Sequence, residues 1–143
     1  MTTVVQAAIE VEGIDHVVLR VADIERAIGF YCGVLGLSVD RRRPELGLVH
    51  LRAGRAMVDL VDATTAAARN GGQAPDGEHL NMDHFAINVR HFDEAAIAAQ
   101  LARHGVAPGK KIRRYGAFGE GWSMYVKDPD GNTVVLRGPP EPA

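Results

Sequence analysis

At 143 residues, 46% of them hydrophobic and 24% charged, the chain has the makeup of one folded domain with a sizeable core. A formal net charge of −2, with both signs interspersed, excludes the basic footprint of a nucleic-acid binder and a polybasic membrane patch. No apolar run is long enough to span a bilayer, no basic-then-apolar leader opens the chain, and the lone Cys32 excludes an internal disulfide; a cytoplasmic, reducing location is expected.

Residues 1–11 read as an arm or edge strand without chemistry of its own. Ile14 to Val21 then alternates, with Val17, Leu19 and Val21 on one face and His16, Val18 and Arg20 on the other. Asp23 is placed to cap a helix from Ile24 to about Leu35, and Gly36 suits the left-handed position after it. Strands are expected at Leu37–Arg41, Leu46–Arg52 and Ala56–Asp62, with Gly54 turning the last hairpin. The block Arg41-Arg42-Arg43 reads as a solvated turn rather than a phosphate site, and Cys32, in an apolar helical stretch, as an inert thiol. Residues 63–80, rich in Ala, Gly, Asn, Asp and Pro, read as a linker, with a short helical turn possible over Ala63–Arg69.

After the linker the order repeats. Asp83-His84-Phe85-Ala86-Ile87-Asn88-Val89 answers Asp15-His16-Val17-Val18-Leu19-Arg20-Val21 at a displacement of 68 positions, within a strand predicted over Met82–Val89. A helix from about Glu94 to His104 follows, capped by Asp93, stapled by Phe92 on Ile97 and closed by Gly105. Strands are expected at Lys111–Tyr115, Trp122–Lys127 and Thr133–Arg137, the last two joined by the turn Asp128-Pro129-Asp130-Gly131-Asn132. The predicted fold is therefore α+β: two tandem βαβββ modules, about 13–62 and 81–138 of one domain, forming a curved mixed sheet with a concave cleft and helices on its outer side.

Strand parity then says what lines the cleft. The cleanly apolar positions face the helices, which leaves His16, Asp59, His84 and Val135 on the other side with Met57, Val61, Asn88, Thr133 and Arg137. Asp59 stands out as a charge inside the apolar run Met57-Val58-Asp59-Leu60, where it must be paired, solvated in a cavity or bound to a metal. His50 is an alternative inward residue, though a lone strand histidine is more often a plain surface or core group; His79, His91 and His104 read as solvated.

The doubled βαβββ order, the two Asp-His strand starts, Phe30-Tyr31-Cys32-Gly33-Val34-Leu35-Gly36-Leu37 and Asp128-Pro129-Asp130-Gly131-Asn132 together resemble the vicinal oxygen chelate superfamily. That group holds glyoxalase I, extradiol dioxygenases, epimerases and fosfomycin- and bleomycin-resistance proteins. The resemblance covers about residues 13–138. It implies metal ligands at His16, Asp59 and His84, with the fourth position at Val135, where the family usually has Glu followed by Leu. Valine ligates nothing, and Asp59 is one bond, roughly 1.5 Å, shorter in reach than the Glu often found at its position.

Two histidines and a carboxylate with open positions suit Fe, Ni, Mn, Co or Zn as a divalent Lewis acid holding a substrate through neighbouring oxygens. The competing reading is a metal-free cleft that sequesters a small molecule, as bleomycin-resistance proteins do; the few aromatic residues (Trp122, three Tyr, four Phe) favour the enzyme. Arg114 to Trp122 is a glycine-rich segment that is either a lid or a plain flexible hairpin. If it closes over the cleft, Glu120 is placed to act as general base and Arg114 to bind an anionic substrate, with Trp122, Tyr125 and Val135 as further substrate contacts. A homodimer is expected, from the resemblance and from strand edges that need cover.

Overall fold

The computed structural model describes residues 13–65 and 82–142. The arm at 1–11, most of the 63–80 linker and His79 lie outside the described residues. The first module runs β1 (His16–Val21), α1 (Ile24–Ile28), β2 (Ser38–Arg43), β3 (Leu48–Ala53) and β4 (Ala56–Asp62). The second runs β5 (Phe85–Asn88), α2 (Glu94–Arg103), β6 (Lys111–Gly116), β7 (Gly119–Lys127) and β8 (Thr133–Pro140). Each module makes one four-stranded mixed sheet, ordered β1-β4-β3-β2 and β5-β8-β7-β6. The repeat is therefore one of topology: the Asp-His strand pairs in parallel with the last strand of its module in both halves.

Both helices begin where their caps predict. Asp23 accepts from the Arg26 amide and Asp93 from the Ala96 amide, each satisfying a backbone donor that the first turn leaves open. The first helix departs from the expected single α-helix to Leu35: after Ile28 it widens into a π-helical turn, Gly29–Val34. Gly29 and Gly33 weaken the α-helical alternative. The wider turn lets two consecutive aromatics, Phe30 and Tyr31, both go inside, edge to face with centroids 5.0 Å apart. Gly36 ends the segment at φ +86°, a conformation that costs a side chain dearly.

Arg41, Arg42 and Arg43 are not a turn. All three extend β2, which lies at the sheet edge, with Arg42 paired to Glu25 at 2.9 Å and Arg43 to Glu45 at 3.2 Å. Cations on an edge strand discourage pairing with a foreign strand, and this explains a basic run in extended backbone.

One hydrophobic core serves both modules. Val17, Leu19, Val21, Val58 and Leu60 of the first sheet share it with Phe85, Ile87, Val134, Leu136 and Met124 of the second and with Ala27, Phe30, Tyr31 and Leu101 from the helical segments. Tyr31 is its seam: its ring stacks on Phe85 at 6.4 Å and its hydroxyl donates to Asp128 at 2.7 Å. The Asp128–Asn132 turn completes the seam from the other side, where Asp130 accepts from the Ala22 amide at 3.0 Å and from Arg26 at 3.3 Å. The turn that the sequence marks as a β7–β8 connection is thus also the clamp between modules.

Burial, reinforced by the charge of Asp128 and its hydrogen bond, pushes the Tyr31 hydroxyl far above its ordinary pKa. An unfolded chain ionises this phenol near pH 10 while the folded chain keeps its proton, so the stability this group contributes is present below pH 10 and lost as pH rises beyond it. Wild type is expected to exceed Tyr31→Phe by about 1–2 kcal/mol near neutrality. That advantage is expected to shrink at up to about 1.4 kcal/mol per pH unit in alkali, read from denaturant midpoints between pH 7 and 11.

Candidate functional site

The positions facing away from the shared core carry the chemistry, as parity requires. On the first sheet β1 and β4 are in register His16↔Met57 and Val18↔Asp59, and β3 and β4 in register His50↔Asp59, so His16, Asp59 and His50 lie on one face. On the second, Ala86↔Val135 and Tyr125↔Val135 put Ala86, Val135 and Tyr125 on the corresponding face, with the His84 ring 5.7 Å from that of Tyr125.

Each repeat histidine is oriented by the aspartate before it: His16 Nδ1 lies 2.8 Å from Asp15 and His84 Nδ1 lies 2.6 Å from Asp83. An ionised carboxylate only accepts, so the neutral tautomer that suits both contacts carries its proton on Nδ1 and leaves Nε2 as the free donor atom. The hydrogen bond to Asp15 holds the His16 pKa above the ordinary imidazole value, against some desolvation, and the charge of Asp59 adds to it. Asp59 therefore acts electrostatically on His16 from a neighbouring strand.

Asp59 is the anomaly of the face. It is 4% exposed, and His50 Nδ1 stands 2.9 Å from its Oδ1, yet that oxygen accepts no hydrogen bond among the described residues. A buried carboxylate needs a positive partner, which His50 supplies when protonated and a bound cation would supply otherwise. The donor set thus fits a divalent metal in kind: carboxylate oxygen and imidazole nitrogen. It does not close within one chain, since no three His, Cys, Asp or Glu side chains among the described residues gather where one ion would reach them all.

The reason lies in the fold. Both helix-facing sides are used up by the single core, so the faces bearing His16 with Asp59 and His84 with Val135 both turn away from it. The strands that carry the histidines, β1 and β5, are edge strands, and Val18 on that face of β1 is 52% exposed. An open edge beside exposed apolar side chains is a surface that another strand-bearing surface covers.

The remaining expected residues are dispersed. Val135 is buried beside Tyr125. Glu120 and Arg114 are exposed on the β6–β7 hairpin, whose tip presents Tyr115 and Phe118 to solvent. Trp122 stands apart from His84 and Tyr125, under Lys111 at 4.2 Å and Arg113 at 5.4 Å, in a depression lined also by Phe92, Pro139 and Pro140. Arg137, which parity places on the cleft side without giving it a role, is a buried guanidinium that donates to the Arg114 and Gly119 carbonyls and to Ser123, pinning the base of the hairpin. Its alternation with apolar Val134 and Leu136 is the signal that marks it. Cys32 is partly buried, which pushes its thiol up and away from reactivity.

The family model of the glyoxalase/bleomycin resistance protein/dioxygenase superfamily matches residues 13–136. Lactoylglutathione lyase GLX1 of Arabidopsis thaliana is 34% identical over 136 residues, covering 89% of this chain and 45% of that protein. Catechol-2,3-dioxygenase of Bacillus subtilis is 28% identical over 124 residues, covering 86% of this chain and 40% of that protein. This chain thus spans less than half the length of either relative. Among solved structures, virulence protein STM3117 of Salmonella typhimurium superposes with a TM-score of 0.69 at 24% identity, over 92% of this chain and 98% of that one. No helix among the described residues is long and apolar enough to cross a membrane. With two βαβββ modules and a family match across nearly all the described residues, the chain belongs to the glyoxalase/bleomycin resistance protein/dioxygenase superfamily.

Proposed function

We propose that this chain is a divalent-metal-dependent enzyme of the glyoxalase/dioxygenase kind, acting on a small molecule that presents neighbouring oxygens. The observation that carries the reading is Asp59: a buried carboxylate on the same face as His16, with His50 Nδ1 2.9 Å from an Oδ1 that accepts no hydrogen bond among the described residues. His16, Asp59 and His84 would hold the ion, which is Fe, Ni, Mn, Co or Zn given two imidazoles and one carboxylate. Such an ion supplies Lewis acidity toward an oxyanionic substrate.

The site is completed between two copies of the chain. Each histidine-bearing face turns outward from the shared core, and its edge strand is open, so a homodimer brings the His16–Asp59 face of one protomer to the His84 face of the other. Within it, Asp15 and Asp83 hold the two rings with Nε2 forward. Tyr125 packs beside His84, and Val135 gives an apolar floor. The hairpin contributes Glu120 as proton acceptor and Arg114 as the cation for an anionic substrate group, with Trp122 reaching substrate only if the hairpin folds over. A single, partly buried cysteine suits a reducing, cytoplasmic location.

The test is elemental analysis by mass spectrometry of tag-free protein purified without chelator, beside His84→Ala. About one transition-metal ion per chain, lost in the variant, is expected. Wild type that takes up none of Fe(II), Ni(II), Mn(II), Co(II) or Zn(II) would sink the reading and leave a metal-free sequestering cleft.

A further inference from the structure

We propose that Arg137 is an anion-recognising residue of the cleft, taking a carboxylate of the small molecule bound there. The inference deepens the reading above by naming the substrate class, a small carboxylic acid, and it assigns a residue that metal binding does not involve.

Uncompensated charge carries it. Arg137 is 8% exposed, and its guanidinium contacts only neutral groups among the described residues. Nη1 donates to the Arg114 carbonyl and to the Ser123 hydroxyl, both at 2.8 Å, and Nη2 donates to the Gly119 carbonyl at 2.9 Å. Those contacts satisfy hydrogen bonds and leave the charge without a counterion. Arginine does not escape by losing its proton, so a buried guanidinium of this kind is stabilised by any anion that reaches it.

The surroundings suit that anion. Asn88, Arg137 and Ser123 stand in one row across β5, β8 and β7. Arg114 lies on the same face of β6, exposed, with a single 3.4 Å bond to the Arg113 carbonyl. The ladder positions of this face carry no Asp or Glu on any of the four strands. A carboxylate arriving there meets two guanidiniums and an amide, with no like charge on the sheet to repel it.

Arg137 also keeps donors in reserve. A guanidinium has five N–H groups, and the three bonds to protein leave Nε–H and one N–H of Nη2 without an acceptor among the described residues. Neighbouring donors of this sort take a carboxylate in two parallel bonds. Gly116 lies beside the same two atoms: a Cβ there would stand 2.6 Å from Nη2 and 2.9 Å from Nε. Gly116 is not among the glycines with positive φ, so its lack of a side chain serves space rather than backbone conformation. Pinning the hairpin uses Nη1 and half of Nη2; the remaining pair is what the ligand takes.

The experiment is a titration of chelator-stripped full-length protein with lactate, and separately with its uncharged counterpart lactamide, at constant ionic strength. The Arg137 Nε–H signal, recognised by its contacts with the Gly116 α-protons, is followed in the proton–nitrogen correlation spectrum. A saturable shift with lactate and none with lactamide is expected. Arg137→Lys keeps the charge without the paired donors and is expected to bind lactate at least about tenfold more weakly. A wild-type signal that stays still, or that moves equally with lactamide, overturns the proposal whether or not Arg137→Lys folds. An Arg137→Lys affinity within about twofold of wild type overturns it too. Metal uptake is measured apart. A protein that binds metal while the Nε–H signal stays still loses Arg137 and keeps the metal reading, and a metal-free protein whose signal shifts with lactate keeps Arg137 alone.

Discussion

Asp128→Ala is expected to cost about 4 kcal/mol and to lower the thermal midpoint by roughly 15 °C, the largest stability effect of any polar substitution proposed for this chain. Asp128 is 5% exposed and gathers four donors. Oδ1 accepts from the amides of Asp130 at 2.9 Å and Asn132 at 2.7 Å; Oδ2 accepts from the Asn132 side chain at 2.8 Å and the Tyr31 hydroxyl at 2.7 Å. Alanine orphans all four at once, in a buried place where water does not replace the carboxylate. Tyr31→Phe removes one donor and leaves the other three, so its cost is about 1–2 kcal/mol. The ordering of the two variants separates a clamp between modules from an isolated tyrosine contact. Differential scanning calorimetry gives both midpoints, and an Asp128→Ala midpoint within a few degrees of wild type rules out the clamp.

That clamp shows where sequence reading stops. Asp128-Pro129-Asp130-Gly131-Asn132 is legible as a turn because Pro fixes φ and Gly131 takes φ +84°. Nothing local says that Asp128 also reaches Tyr31, 97 positions away in sequence, or that Asp130 holds the Ala22 amide. The strands were legible for the converse reason: alternation is a local property, and Ala56–Asp62 coincides with its predicted limits. The first helix was half legible. Its cap and its closing glycine are local signals, whereas the π-helical turn exists to bury Phe30 and Tyr31 together, a demand set by the other module.

The site divides in the same way. Parity alone places His16 and Asp59 on one face, because the β1–β4 and β3–β4 registers obey it. Parity is silent on pairing across strands, so His50 reads as an ordinary strand histidine until its register with Asp59 is known. It is silent, too, on which faces of the two sheets meet. The shared core takes the helix side of both sheets, which leaves the histidine faces on the side away from it.

Asp59→Asn is expected to weaken metal binding more than a hundredfold and, unlike most substitutions at a buried polar site, to leave the metal-free protein as stable or more so. The side chain keeps its volume, so no cavity opens. What changes is the charge. Metal-free Asp59 carries a carboxylate that is nearly inaccessible, with one oxygen that accepts no hydrogen bond among the described residues. Neutralising such a group removes a desolvation cost, worth about 1 kcal/mol or a few degrees in the thermal midpoint here. With metal present the order reverses, because a ligand that binds only the folded state stabilises wild type in proportion to the logarithm of its occupancy. Melting curves of both proteins, stripped and with excess Zn(II), give the four midpoints needed. A crossing of the two pairs identifies Asp59 as a group held ready for a cation. If Asp59→Asn melts well below wild type in both conditions, the carboxylate is part of the framework, and His16 and His84 lose their companion ligand.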